Sequence, residues 1–256
     1  MKNSRRSFIK LAGIAAASLA VAPRAMASSG GHEPASANPT ALHAKQWAMV
    51  IDTTKLNTPE AIDKLAAICH AIHNVPSIEG KKEIKWLWHD TYPHTFPEQE
   101  NPHLAHEVHE RAYALLCNHC ENPSCVRVCP TKATFKRPDG IVAMDYHRCI
   151  GCRYCMAACP YGSRSFNWGE PRKNLDLPKL NPEFPTRMRG VVEKCNFCVE
   201  RLAVGKLPAC VEASDGAIVF GDLYDPESPV RELLREKFTI RRKPAVGTEP
   251  CVYYVI

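Results

Sequence analysis

Cys149-Ile150-Gly151-Cys152-Arg153-Tyr154-Cys155-Met156-Ala157-Ala158-Cys159-Pro160 places four cysteines in eleven residues and closes on a proline. Three thiolates with two residues between them wrap three corners of a cubane iron–sulfur cluster in one tight loop. In runs of this spacing the fourth cysteine ligates the other cubane of a pair. A second run, Cys117-x2-Cys120-x4-Cys125-x3-Cys129-Pro130, lies just upstream. Zinc offers a different use for Cys-x2-Cys pairs, as a zinc-stabilised scaffold without redox work. Tetrahedral zinc sites, however, set two such pairs a dozen or more residues apart. A disulfide framework fits less well, because cysteines this close in short loops are poorly placed for unstrained bridges.

Working outward, Cys195-x2-Cys198-x11-Cys210 forms a third, incomplete set, and Cys69 stands alone. An internal repeat relates them. Met49-Val50-Ile51-Asp52 through Leu56 aligns with Val142-Ala143-Met144-Asp145 through Cys149, and Leu65-Ala66-Ala67-Ile68-Cys69 aligns with Cys155-Met156-Ala157-Ala158-Cys159. Likewise Cys117-Asn118-His119-Cys120 matches Cys195-Asn196-Phe197-Cys198, with Ser214 where a fourth cysteine would stand. The first motif keeps only its fourth cysteine and the last keeps only its first three. Under crossed ligation these losses are complementary: one whole cubane is deleted and its partner is intact. The expected ligand sets are Cys117, Cys120, Cys125 with Cys159; Cys149, Cys152, Cys155 with Cys129; and Cys195, Cys198, Cys210 with Cys69. They make three [4Fe-4S] clusters from twelve of the thirteen cysteines. Cys251 is left over as a structural thiol, a small buried hydrophobe.

The expected fold class is α+β: tandem bacterial-ferredoxin-like 4Fe-4S dicluster modules with loop-rich insertions and an extended C-terminal tail. Residues 45–110 and 180–224 make an outer module with one cluster lost, residues 111–179 an inner module, and residues 225–256 the tail. With 21 prolines, short strands and loops are favoured over long helices. Strands are expected at Trp47–Asp52, Ile141–Asp145 and Ala217–Phe220. Short helices should begin near Asn122 and after Cys155, with another over Val230–Lys237. Phe135, Phe166, Trp168 and Phe220 follow their cluster loops and either shield sulfur or serve as ordinary core. Val252-Tyr253-Tyr254-Val255-Ile256 reads either as a partner contact or as a terminal strand closing the protein's own core.

The N-terminus carries an export signal. Ser4-Arg5-Arg6-Ser7-Phe8-Ile9-Lys10 has the twin-arginine pattern, an apolar stretch Leu11–Ala22 follows, and Ala25-Met26-Ala27 is a small-x-small cleavage site. Residues 1–27 are thus expected to be a signal peptide and residues 28–44 a flexible leader; the alternative is an apolar segment retained as an anchor. The twin-arginine route carries folded proteins, which suits a thiol-rich chain bound for an oxidising compartment. Of 33 basic residues, five (Lys2, Arg5, Arg6, Lys10, Arg24) lie in the signal, which holds none of the 27 acids. The formal net charge of +6 therefore falls close to neutral without it, and nucleic-acid binding finds no support. No later stretch is apolar enough to span a bilayer, so the mature chain is expected to be soluble or peripheral.

Eleven histidines invite haem or metal readings. Cys69-His70 lacks the upstream cysteine of a haem attachment site. His103, His106 and His109 have helical spacing and read as a solvated face. There is no Gly-rich phosphate loop opening a helix and no nucleophile elbow, so no catalytic residues are assigned.

On its cysteine motifs, its twin-arginine signal and the stretches Trp47–Asp52, His73-Asn74-Val75-Pro76, Asp145-Tyr146-His147-Arg148-Cys149, Asn181-Pro182-Glu183-Phe184-Pro185-Thr186-Arg187 and Val219-Phe220-Gly221-Asp222, the chain resembles the iron–sulfur subunits that pair with polysulfide-reductase-type membrane subunits. More narrowly, it is similar to the exported iron–sulfur subunits of the membrane complex associated with dissimilatory sulfite reductase. The resemblance implies an electron-transfer subunit at the periplasmic face of the cytoplasmic membrane. Its partners would be an integral membrane quinone-reactive subunit and a multihaem cytochrome c subunit, in sulfur metabolism. The other class left open is the iron–sulfur subunit of a molybdopterin oxidoreductase or hydrogenase. Leu56, Leu65 and Ser214 depart from the four-cluster pattern.

Overall fold

Trp47-Ala48-Met49-Val50-Ile51-Asp52 forms strand β1, and five of its six residues are buried. Both faces are covered because it lies inside a sheet with a core on each side. Trp47, Met49 and Ile51 point into the main core, while Ala48 and Val50 meet Val230, Cys251 and Val255. This is the two-residue period of a strand. The computed structural model describes residues 38–256, which form one compact unit. The twin-arginine segment, the cleavage site after Ala27 and the leader up to residue 37 lie outside the described residues.

The remaining elements run α1 (Pro59–Ile72), β2 (Leu87–Asp90), α2 (Tyr92–Thr95), α3 (His106–Glu110), β3 (Tyr113–Leu116), α4 (Ser124–Arg127), β4 (Thr134–Lys136), β5 (Val142–Met144), α5 (Tyr154–Ala157), β6 (Ser165–Phe166), β7 (Val192–Glu193), α6 (Val199–Leu202), α7 (Ala209–Glu212), β8 (Ile218–Asp222), α8 (Pro229–Glu236), β9 (Thr239–Ile240) and β10 (Val252–Val255). The main sheet has the order β8-β1-β10-β9. Strand β1 is antiparallel to β8 and parallel to β10, with Met49 opposite both Phe220 and Val252. Three antiparallel two-stranded ribbons, β2-β3, β4-β5 and β6-β7, make up the rest. The fold class is α+β, with small open sheets and short helices.

Helix α1 departs from the expectation of loops. It is fourteen residues long, opens on Thr58, whose hydroxyl accepts from the Ala61 N–H at 3.3 Å, and has Pro59 at its first position. Ile62, Leu65, Ala66 and Cys69 are buried along one face. Their spacing is that of an amphipathic helix, a local pattern that outweighs the chain's overall proline content.

The segment read as an extended tail is integral to the sheet. Strand β10 lies between β1 and β9, the Tyr254 hydroxyl donates to the Ala114 carbonyl at 3.0 Å, and α8 seats the buried Val230 under β1. A run of apolar residues at alternating positions buries itself when an edge is open to it. Just before β10, the Glu121, Asn122 and Cys251 N–H groups donate to the Glu249, Thr248 and Asn118 carbonyls, so the same segment straps the Cys117–Cys125 loop. The end of the leader is also placed: the Leu42 N–H donates to the Leu202 carbonyl at 2.9 Å. No helix of the described residues is long and apolar enough to cross a membrane.

Candidate metal centres

Each cysteine group is built by a turn that the sequence forces locally. Cys149 and Cys152 flank Gly151, whose φ is +71° and whose missing Cβ would stand 2.4 Å from the Gly190 carbonyl oxygen. Only glycine fits there. Arg153 follows at φ +63°, and Cys155 lies on α5. Cys117 directly follows β3, Cys125 lies on α4, and Cys129 and Cys159 stand just past α4 and α5 before their prolines. The Ser124 hydroxyl donates to the Ala158 carbonyl at 2.7 Å and so ties the two loops together. Cys195 follows β7, Cys198 caps α6 with φ +51°, Cys210 lies on α7, and Cys69 sits in the last turn of α1.

The cysteines lie close to one another in groups. Cys129, Cys149, Cys152 and Cys155 line a single cavity, with Thr131, Thr134, Met144 and Val192 in its wall. Burial pushes the Cys120 thiol up, and neighbouring Cys117, Cys159 and Cys125 push it further. Cys69 is buried and raised well above the usual thiol range, first by burial and then by Cys195, Cys198 and Cys210. Although Cys69 is distant in sequence, its sulfur neighbours are the three cysteines of the last motif. Burial first and then neighbouring Cys117 raise the Cys195 thiol, so the second and third groups abut.

The donors suit iron–sulfur clusters. All thirteen cysteines are free thiols. Cys129 is lowered: burial alone would raise it, but hydrogen bonds from Thr134 and Thr131 outweigh that. The Thr134 N–H reaches its Sγ at 3.4 Å, and the Phe197 N–H reaches Cys195 Sγ at 3.5 Å. Such backbone donors stabilise anionic sulfur. Within the Cys117–Cys120 turn, both polar ends of the Asn118 amide and Nε2 of His119 are buried without a protein partner. Buried polar atoms are rarely left so, which fits a loop shaped around a bound group.

The positions where the repeat would place further cysteines are filled for other uses. Leu56 and Leu65 are buried in the main core beside Ile62. The Ser214 hydroxyl donates to the Val211 carbonyl at 2.8 Å and accepts the Ile218 N–H at 3.0 Å, closing the turn into β8. His119 and Phe197 hold matching places in the two Cys-Asn-x-Cys stretches; both have positive φ, and their rings stack 3.7 Å apart.

Among the aromatics singled out above, Phe166 packs against the small core of Cys125, Val142, Cys155 and Val192. Phe220 stacks on Trp47 at 4.8 Å and belongs to the main core. Phe135 and Trp168 are exposed, so they shield little; Trp168 instead carries the Arg153 guanidinium over its ring at 4.6 Å. Cys251 is buried and accepts from Gln46 Nε2 at 3.2 Å. His103, His106 and His109 form no metal-type group among the described residues.

Sequence reasoning missed four polar side chains beside the cysteines. His73, one helical turn after Cys69, hydrogen-bonds the Cys69 carbonyl and Glu200 Oε1, each at 2.8 Å, and stacks on Trp86 at 4.6 Å. With Cys198 these two residues form the one mixed donor group of the described residues. Their bonds hold the α1 end against α6. Arg164 and Lys194 are buried within the cysteine-bearing region. The Cys69-x3-His73 spacing carried a signal for His73; a basic residue in a loop carries none for burial.

A family model described as a 4Fe-4S dicluster domain matches residues 109–174. Over 98% of its length the chain is 41% identical to the Hdr-like menaquinol oxidoreductase iron-sulfur subunit 1 of Archaeoglobus fulgidus, covering 97% of that protein. It is 38% identical over 82% of its length to the menaquinone reductase iron-sulfur cluster-binding subunit of Nitratidesulfovibrio vulgaris, covering 88% of it. To Protein NrfC of Escherichia coli it is 38% identical over 73% of its length, covering 71% of that protein.

Proposed function

The chain belongs to the family of iron–sulfur subunits of oxidoreductase complexes, and on that premise we propose that it is the electron wire of a membrane-associated complex, carrying three [4Fe-4S] clusters. Cys117, Cys120, Cys125 and Cys159 hold one, Cys149, Cys152, Cys155 and Cys129 the second, and Cys195, Cys198, Cys210 and Cys69 the third. The observation that carries this reading is the neighbourhood of Cys69 with Cys195, Cys198 and Cys210 across more than a hundred residues of sequence. When bound, the clusters supply one-electron carriers. The chain's own residues hold them in order, exclude water with Phe166, Phe197 and Val192, and donate hydrogen bonds to sulfur. Neighbouring sets share a boundary at Cys125–Cys155 and at Cys117–Cys195, which suits electrons passing along the chain of clusters.

The partners of this wire are an integral quinone-reactive membrane subunit and a multihaem cytochrome c subunit, in sulfur metabolism of the kind served by complexes associated with dissimilatory sulfite reductase. The menaquinol and menaquinone in the names of two long relatives support the quinone side. Arg5 and Arg6 direct export by the twin-arginine route, which puts the subunit at the periplasmic face. Anaerobic isolation of the native complex tests the reading. Co-purification of a quinone-reactive membrane subunit and a cytochrome c supports it. A molybdenum or nickel subunit in their place assigns the chain to a molybdopterin oxidoreductase or hydrogenase instead, and zinc without iron refutes the redox role altogether.

A further inference from the structure

Four Arg or Lys side chains are buried among the described residues: Arg164, Arg187, Lys194 and Arg242. Arg187 is paired with Glu193 at 2.7 Å. Arg242 lies over the Tyr161 ring at 5.5 Å and donates to the Thr95 carbonyl at 3.2 Å. Arg164 and Lys194 differ. Like Arg242, neither has a carboxylate within ion-pair distance among the described residues, but these two reach cysteines directly, Arg164 at the Cys125 sulfur and Lys194 at the Cys195 carbonyl. Arg164 Nη2 donates to Cys125 Sγ at 3.0 Å, and Nη1 donates to Thr134 Oγ1 and Met144 Sδ, each at 3.2 Å. Lys194 Nζ donates to the Cys195 carbonyl at 2.7 Å and to the Val142 carbonyl. A buried charge is costly unless something of opposite sign compensates it.

Their positions name the compensating group. Arg164 Nη2 is on the Cys125 sulfur, and the Nη1 partners Thr134 and Met144 line the cavity shared by Cys129, Cys149, Cys152 and Cys155. Cys125 belongs to one inner set and Cys155 to the other, so the guanidinium stands between them. Lys194 Nζ is on the Cys195 carbonyl of the third set and on the Val142 carbonyl, while the Val142 N–H donates to His119 Nδ1 in the Cys117–Cys120 turn at 3.1 Å. It therefore stands between the middle set and the third. We propose that Arg164 and Lys194 are resident counter-cations of the iron–sulfur wire, one at each junction, and that they set how readily the adjoining clusters accept an electron. The inference rests on the ligand sets proposed above. A fixed positive charge stabilises the more negative, reduced form, and hydrogen bonding to sulfur acts in the same direction. Both residues are positioning groups that take no part in bond making.

The test is a redox titration of anaerobically purified wild type, Arg164→Gln, Arg164→Lys, Lys194→Gln and Lys194→Arg, each with its iron count. Arg164→Gln should lower the midpoint potentials of the two inner clusters and leave the third in place. Lys194→Gln should lower those of the middle and third clusters. The expected size is at least a tenfold change in the oxidised-to-reduced ratio at fixed ambient potential, about 59 mV for one electron. The charge-preserving variants should stay near wild type. Fully loaded neutral variants with unmoved potentials would overturn the inference. If the neutral variants lose iron, retention of iron and potential in Arg164→Lys and Lys194→Arg upholds a requirement for charge. Iron loss in those variants as well means shape, not charge, and overturns it. A wild-type protein without iron would instead defeat the ligand assignment beneath the inference.

Discussion

Arg187→Met should loosen the third cysteine group before it loosens the rest. The Arg187 side chain is fully buried, as is that of Glu193. Its Nε and Nη2 both reach Glu193 Oε2 at 2.7 Å, Nη2 also donates to the Asn74 carbonyl at 2.7 Å, and Nη1 donates to the His73 and Pro185 carbonyls. Glu193 in turn accepts from Trp86 Nε1 at 2.9 Å and from the Asn167 amide. The knot clamps the chain just past α1, which carries Cys69, to β7, two residues before Cys195. Removing one partner leaves an uncompensated buried carboxylate, at a cost of about 3–5 kcal/mol. That is a large part of the roughly 5–15 kcal/mol that holds an ordinary domain folded. Adding Glu193→Gln removes the stranded charge, so the double variant should recover part of the loss. The assay is guanidinium-induced loss of cluster absorbance and of each cluster's resonance signal, compared among wild type, single and double variants. Cofactor-bearing proteins do not unfold as two states, so the order of the midpoints is the readout. Arg187→Met should fall first, losing the third cluster's signal earliest. A midpoint equal to wild type, or a double variant weaker than the single, would refute the reasoning.

Three further outcomes follow from the same geometry. Cys69→Ser and Cys195→Ser should each lose one and the same resonance signal, read by low-temperature spectroscopy of reduced protein; two different missing signals would contradict their pairing. Ser214→Cys should gain no cluster, because Leu56 and Leu65 fill the core where other ligands would be needed. Its iron content should match wild type, while the lost hydroxyl bonds to Val211 and Ile218 cost roughly 0.5–1.5 kcal/mol each. Phe197→Ala removes a ring stacked on His119 at 3.7 Å and set edge-on to Phe220 at 5.2 Å. It should cost about 3–5 kcal/mol, measured as a lowered thermal midpoint, with wild-type stability as the contrary result.

Much of the scaffold was legible because its signals are local. Strand β1 follows from an apolar run ending in Asp52; the helices expected near Asn122 and after Cys155 form as α4 and α5, the first starting at Ser124 and the second earlier than expected, at Tyr154. The strand expected over Ala217–Phe220 is β8, which starts one residue later and runs two further, since it pairs with β1 as far as Asp222 opposite Trp47. Helix α1 was hidden because Leu65 and Cys69 were aligned to a cysteine loop, although Thr58, Pro59 and the burial period of Ile62, Leu65, Ala66 and Cys69 spelled a capped helix. Whether Val252–Ile256 served a partner or the chain's own core turned on which sheet edge stood open beside β1, a non-local matter. Arg164 and Lys194 could not be found in the sequence. Their significance lies in burial without a carboxylate, and burial of a loop residue is decided by the whole fold.

The most direct measurement is iron and acid-labile sulfide per chain in protein purified without oxygen. Three filled cubanes require about twelve of each. A value near sixteen would mean that the site missing its cysteines at Leu56, Leu65 and Ser214 still holds a cluster, and a value near eight would mean that one of the three expected sets holds none; either contradicts the account of three filled sets.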